Sequence, residues 1–422
     1  MNITLFPSAL SGSLPAVTSK SYGHRAMICA ALADKPTSLS MNLLSADIAA
    51  TADCLAALGA SIDTSANGIV KVSPVHLTEG TPLLDCNESG STLRFLLPVT
   101  AALADRAFFF GRGRLPERPL SPLITAMTSH GCRFEGECLP FTVEGRLESG
   151  RFLLPGNISS QFITGILLAL PLVRGGEVVL TTPLESAGYL DMTLDVMRRF
   201  GVAVLRTPEG FSVSQDAAYR SPESFLVEGD WSNSAFWLAA GALSEKILLT
   251  GLNLCSAQGD RAIVKLLRAF GAEVSECENE VSVSRGSSAL SPQVIDASNI
   301  PDLVPVLASV ALNAKGETII KNAGRLRLKE SDRLRCIADG LQSLGGNVVE
   351  TADGLIITGS GRLKGGHADG CNDHRIVMAL AVASLLCDGP VEISGAEAVS
   401  KSYPGFFEDF AHLGGKYERS GK

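Results

Sequence analysis

Apolar positions recur along the chain at helical spacing in twelve stretches, which alternate with short β-prone segments and fall into two series sharing one period. In the first series an amphipathic helix ends in glycine and runs into a β-prone segment: ADCLAALGASI, ITAMTSHGCRF, LDVMRRFGVAV, VKLLRAFGAEV, IADGLQSLGGNV and FFEDFAHLGGKY. The terminal glycines are Gly59, Gly131, Gly201, Gly271, Gly345 and Gly414, spaced by 72, 70, 70, 74 and 69 residues. Glycine just past a helix end closes the last turn in the left-handed conformation. Six such ends at a near-constant period imply six copies of one α/β unit of about 70 residues.

The second series begins near Ser21, Ser91, Ser160, Ser232, Asp302 and Asp373, where a polar, cap-type start leads into a mainly apolar body, as in SGSTLRFLLPVTAALA and NDHRIVMALAVASLL. Helices apolar on nearly every side are buried helices. Their Ser, Asn and Asp residues serve as N-caps on the simplest reading. The same starts also carry Lys20, Arg25, Arg94, Gln161, His374 and Arg375, which capping does not require. A helix start offers unpaired N–H groups and positive potential, so several together could form a receptor for anions.

Composition narrows the classes. The 422 residues, 45% of them apolar, can bury a large core in two or three domains. A formal charge of −8 argues against nucleic acid and anionic membranes as partners, so any anion site is built locally. The longest apolar runs, such as 376–386, are too short to span a bilayer, and the N-terminus lacks a signal-peptide pattern. Ten cysteines without a CxxC pair and six histidines without HExxH spacing suggest neither a zinc site nor a disulfide framework. The expectation is a cytoplasmic protein with no metal and no cofactor.

Seven segments, SKSYGHR (19–25), SGSTLR (89–94), RLPERP (114–119), SSQF (159–162), LKESDRL (328–334), NDHR (372–375) and SKSYPGFFEDF (400–410), stand in an order that resembles the 3-phosphoshikimate 1-carboxyvinyltransferase family over essentially the whole chain. The resemblance implies an α/β fold of two similar domains, each of three repeated units with buried helices and outer sheets (an inside-out α/β barrel), with the active site in an interdomain cleft. It implies one domain from residues 1–18 and 230–422 and another from 19–229, with hinges near Thr18–Ser19 and Gly229–Asp230. The implied reaction joins the enolpyruvyl group of phosphoenolpyruvate to shikimate 3-phosphate, releasing phosphate, in a monomer.

The resemblance also implies residue roles. Ser159, Ser160, Ser186 and Gln161 would hold the shikimate phosphate, Ser21 and Arg25 its carboxylate, with Tyr189, Lys20, Asp302 and Lys329 nearby. Lys20, Gly90, Arg114, Gln161 and Lys401 would contact the phosphoenolpyruvate phosphate. Arg333 and Arg375 would take its carboxylate, since a planar guanidinium can bind one bidentately. Within DRLR, Arg333 could instead pair locally with Glu330 or Asp332. Asp302, Glu330 and Lys20 would move protons, although from its own sequence Asp302 reads more readily as a helix cap, and it is the resemblance that points to catalysis.

Some positions depart from the family pattern: Glu88 where many members have Asn, Phe95 where some have Pro, and Arg325 where Asn is common. These could change substrate affinity and sensitivity to glyphosate. A sister family transfers enolpyruvyl to UDP-N-acetylglucosamine and usually has a loop Cys where this chain has Gly113. A non-catalytic repeat protein would show shorter repeats and a polar concave face. A nucleotide-binding enzyme is opposed by GRGRLP, which lacks the last glycine of GxGxxG.

Overall fold

All six repeat glycines adopt left-handed backbone, with φ from 82° at Gly201 to 103° at Gly271. Each therefore ends its helix where a Cβ would be penalised, which is the reason the period could be read from glycine alone. The computed structural model describes residues 1–42 and 44–420. Its helices follow in chain order: α1 (Lys20–Leu32), α2 (Ala46–Ala57), α3 (Gly90–Leu103), α4 (Ser121–Thr128), α5 (Ser160–Ala169), α6 (Ala187–Arg199), α7 (Trp231–Leu243), α8 (Ile263–Phe270), α9 (Val304–Ala311), α10 (Arg333–Ser343), α11 (His374–Ala383) and α12 (Phe406–His412). Odd numbers are the buried series and even numbers the amphipathic one.

Every residue of α9 and α11 is buried, and α7 is buried apart from Ser232. Burying each large apolar side chain stabilises by about 1.5–3 kcal/mol, so these helices are held by packing on all sides rather than by propensity. At one polar position inside, Ser309 Oγ donates to the Ala379 carbonyl at 2.8 Å, tying α9 to α11. Close approach also needs a missing side chain. A Cβ on Gly165 of α5 would lie 2.1 Å from the Arg94 carbonyl of α3.

Contacts divide the chain into two compact units, Met1–Val17 with Glu228–Lys422 and Thr18–Val227. The described residues form six four-stranded mixed sheets. In the regular repeat a first strand leads through a buried helix to a parallel neighbour, and an amphipathic helix then leads to an antiparallel hairpin. Leu83–Asp85, Arg106–Phe110, Phe141–Glu144 and Arg133–Glu135 lie side by side in this way. Three sheets are completed out of chain order. Gly12–Pro15 precedes α1 in the chain but pairs in parallel with Ile247–Thr250, while Ser224–Leu226 takes the corresponding place beside Thr37–Ser40. Asn2–Phe6 inserts between Val391–Ser394 and Lys416–Ser420, antiparallel to both.

Candidate active site

Within Thr18–Val227, the starts of α1, α3 and α5 are capped by serine. Ser19 Oγ accepts from the Tyr22 N–H at 3.4 Å, Ser89 Oγ from Thr92 at 3.2 Å and Ser159 Oγ from Gln161 at 3.3 Å. Ser159 is therefore the N-cap of α5, and Ser160 follows it, 7% exposed, as the first residue of the helix.

These starts collect cations. A Cβ on Gly90, the first residue of α3, would meet Nη1 of both Arg94 and Arg118 at 2.7 Å. Two guanidinium groups thus close on this helix start and would have to shift to admit a side chain there. Arg94 donates through Nη1 to Gln161 Oε1 and through Nη2 to the Pro119 carbonyl, each at 2.9 Å, and Gln161 Nε2 donates to Ser91 Oγ at 2.9 Å. The Gln161 amide is thereby fixed between α3 and α5. Burial, and then the neighbouring Arg118 charge, hold the Arg94 pKa well below the usual arginine range. An anion placed here would relieve both costs.

Lys20 pairs with Asp47 at 2.7 Å. Arg25 points inward, with Nε donating to Thr193 Oγ1 at 2.8 Å, Nη1 to the Ser21 carbonyl at 2.7 Å and Nη2 to the Tyr189 carbonyl at 3.0 Å. Its guanidinium carbon lies 4.9 Å over the Phe95 ring, so the departure at Phe95 gives Arg25 an aromatic floor. Burial lowers the Arg25 pKa to about 10. Ser21, Arg25 and Tyr189 are thus brought together, with α6 beside α1. Ser186 precedes α6 with φ 56° and makes no cap bond through its side chain, although it is 3% exposed. Left-handed backbone at a buried non-glycine residue is strain of the kind found at ligand sites. Arg114 is placed differently from these: its side chain is 45% exposed and its Nε lies 3.4 Å from Glu117. The guanidinium groups against Gly90 are those of Arg94 and Arg118 instead.

In the other unit, the cluster is built from acids. Asp302 lies inside a 3-10 turn, Pro301–Leu303, and not at a cap position, the caps of that turn and of α9 being Ile300 and Leu303. Its Oδ1 accepts from Arg333 Nη1 at 2.9 Å and lies 3.9 Å from Lys329 Nζ, while Oδ2 lies 3.1 Å from Arg375 Nη2. Arg333 does not turn mainly to its sequence neighbours. It reaches Asp373, Nε to Oδ2 at 2.7 Å and Nη2 to Oδ1 at 3.2 Å, with Glu330 at 3.7 Å. Burial alone would lower the Arg333 pKa, but Asp373, Glu330 and Asp302 together raise it above the usual range. Asp373 also caps α11, accepting from the Arg375 N–H at 3.0 Å, and accepts from Ser331 Oγ at 3.0 Å. Burial opposes its ionisation, but the Arg333 charge prevails and its pKa is lowered.

Glu330 Oε2 lies 2.8 Å from His374 Nδ1, and Lys401 Nζ donates to the Asn372 carbonyl at 2.6 Å. Glu330, Asp373 and His374 offer donor atoms within 4.8 Å of one another, a spacing that could hold a metal ion. The Arg333 guanidinium already lies against two of the three, putting a fixed positive charge where an ion would go. Asp260 accepts from the Ser232 hydroxyl and is 3% exposed. Burial, and then the nearby Asp302 charge, push its pKa up to about 7.

Four of these residues were not singled out from sequence. Asp47 had a signal, a Ser45 cap followed by an acid in the first helical turn. Arg118 stood inside RLPERP, and Asp373 was visible as a helix start. Asp260 carried no local signal, since its partners come from elements 28 to 115 residues away. Chemically, the first cluster suits binding of phosphate or carboxylate through guanidinium, amide and hydroxyl donors. The second holds carboxylates among cations and a histidine, an arrangement able to accept and return protons.

The family model for EPSP synthase (3-phosphoshikimate 1-carboxyvinyltransferase) matches residues 6–410. A protein of Clostridium acetobutylicum named 3-phosphoshikimate 1-carboxyvinyltransferase is 42% identical over 421 residues, covering 98% of this chain and 97% of its own. One of the same name from Clostridium kluyveri is 43% identical over 420 residues, covering 99% and 98%. The solved structure of EPSP synthase from Acinetobacter baumannii superposes with a TM-score of 0.82 at 25% identity, covering 99% of this chain and all of that one. With a family model spanning nearly its whole length and relatives above 40% identity from end to end, this chain belongs to the EPSP synthase family.

Proposed function

We propose that this chain transfers the enolpyruvyl group of phosphoenolpyruvate to the 5-hydroxyl of shikimate 3-phosphate, releasing inorganic phosphate, in the shikimate pathway to aromatic amino acids. Family membership supports the reaction class. The observation that carries the chemistry is the pair Asp302 and Glu330, held by Arg333 at the start of α10 and by Arg375 and His374 at the start of α11. In the first step the substrate oxygen bonds to C2 of phosphoenolpyruvate, its proton passes to Asp302, and C3 gains a proton. In the second, C3 loses a proton and the bond from C2 to the phosphate oxygen breaks. Glu330, through His374, and Lys20 serve the protons at C3.

Arg333 and Arg375 are assigned to the phosphoenolpyruvate carboxylate, with Lys20, Gly90, Arg114, Gln161 and Lys401 at its phosphate. Arg333 and Arg375 must exchange Asp302 for that carboxylate, which leaves Asp302 less neutralised and more basic. Ser159, Ser160, Gln161 and Ser186 are assigned to the shikimate phosphate, Ser21 and Arg25 to its carboxylate, with Tyr189 and Lys329 adjacent. A monomer in the cytoplasm belongs to the same proposal. Among the described residues no helix is long and apolar enough to cross a membrane. The test is phosphate release from phosphoenolpyruvate with each acceptor: it should require shikimate 3-phosphate. Release with UDP-N-acetylglucosamine in its place would overturn the reading.

A further inference from the structure

Asp260 lies in the 3-10 turn Gly259–Ala262 ahead of α8 and has no part in the reaction described above. It is buried, its Oδ2 accepts from Ser232, and its Oδ1 has no hydrogen-bond partner among the described residues. The groups facing it come from three other elements: Asp230 and Ser232 at the start of α7, Asp302 ahead of α9, and Arg375 at the start of α11. Asp302 pairs with Arg375 at 3.1 Å, and α7, whose start carries Ser232, packs against α11, against α9 and against the turn that holds Asp302, so that both charges act on Asp260. A buried carboxyl with one oxygen unpartnered is costly as a structural element alone.

We propose that Asp260 is a positioning residue for the transfer: its carboxyl, held by Ser232 and acting electrostatically on the Asp302–Arg375 pair, governs how readily Arg375 takes the phosphoenolpyruvate carboxylate. Neutral Asp260 adds no charge to that pair. Ionised, it adds a second negative charge to the field at the same guanidinium, and the incoming anion is held less tightly against it. Its titration near neutral pH makes this effect dependent on pH: anion binding at Arg375 weakens as pH rises through about 7. The inference rests on Arg375 being a ligand of the anionic second substrate.

The experiment measures kcat and the KM for phosphoenolpyruvate from pH 6 to 8.5 in wild type, Asp260→Asn and Ser232→Ala, alongside the affinity for shikimate 3-phosphate. Asparagine fixes the neutral state, so the ratio of wild-type KM to that of Asp260→Asn should rise by about tenfold across this range. Titration of the substrate phosphate is common to all three proteins and cancels in the ratio. Ser232→Ala removes the hydroxyl that stabilises the ionised form and should move the KM inflection to higher pH. This arm decides the matter if Asp260→Asn fails to fold. Parallel KM profiles in all three proteins, differing only in height, would show that Asp260 is merely structural. No shikimate 3-phosphate-dependent phosphate release from wild type at any pH would overturn the functional reading itself, and this inference with it.

Discussion

The two units repeat one architecture three times each, yet the starts of their buried helices carry opposite chemistry. In Thr18–Val227 the caps are Ser19, Ser89 and Ser159, neutral groups that leave the charge of Arg94 and Arg118 at the helix start. In the other unit the caps of α7 and α11 are Asp230 and Asp373, joined by Asp260, Asp302 and Glu330 around Arg333 and Arg375. Serine and aspartate cap a helix about equally well, so folding places little constraint on the choice. The choice instead sets the local field. A serine-capped start invites an anion. At the acidic starts the arginines are already paired with carboxylates, so in the proposed reaction an arriving anion displaces Asp302, which is left more basic.

The sharpest break of this comparison is at Asp302. Asp302→Asn keeps the shape but cannot take the hydroxyl proton, and turnover should fall by about 10²–10⁴-fold while shikimate 3-phosphate still binds. Near-normal turnover, with a large loss in Glu330→Gln measured beside it, would move the base to Glu330. Next in size is Asp373→Asn. Asparagine can still cap α11, so what is lost is the charge opposite buried Arg333, and stability should drop by about 3–5 kcal/mol in denaturant titration. A loss under about 1 kcal/mol, the size of an exposed ion pair, would mean that Arg333 is adequately held by Asp302 and Glu330. The smallest effect on folding and the most direct test of the contrast is Ser159→Asp, which gives one start of the first unit the cap chemistry of the second. Stability should change by less than about 1 kcal/mol because the cap is retained. Affinity for shikimate 3-phosphate should fall by about 10–100-fold through like-charge repulsion, read by calorimetry at low salt. Unchanged affinity would remove Ser159 from the phosphate site.

Much of this was legible from residues close together in sequence. The glycines at 59, 131, 201, 271, 345 and 414 had to be left-handed because the helix before each one ends there, and a helix end is a local event. The polar starts of the buried helices fell within a few residues of where the chain showed them, since capping involves only the next two or three residues. The residues at those starts were visible for the same reason. Their partners were not. Arg333 could be seen to need an acid, and the sequence offered Glu330 and Asp332 nearby; the structure supplies Asp373, 40 residues on, and Asp302, 31 residues back.

The sequence by itself determined the repeat, the helix ends, the apolar helices that must be buried and the cations at their starts, because each depends on interactions within a few residues. Only the tertiary structure decided which strand completes which sheet. Gly12–Pro15 lies just before α1, yet Ser224–Leu226 fills the place beside Thr37–Ser40, and period alone cannot distinguish these equivalent strands. The tertiary structure also decided which carboxyls share an arginine. Asp260 has an ordinary acid's sequence environment and becomes unusual when burial and the approach of Asp302 oppose its charge. Desolvation and long-range pairing are properties of the packed chain, so no stretch of sequence contains them.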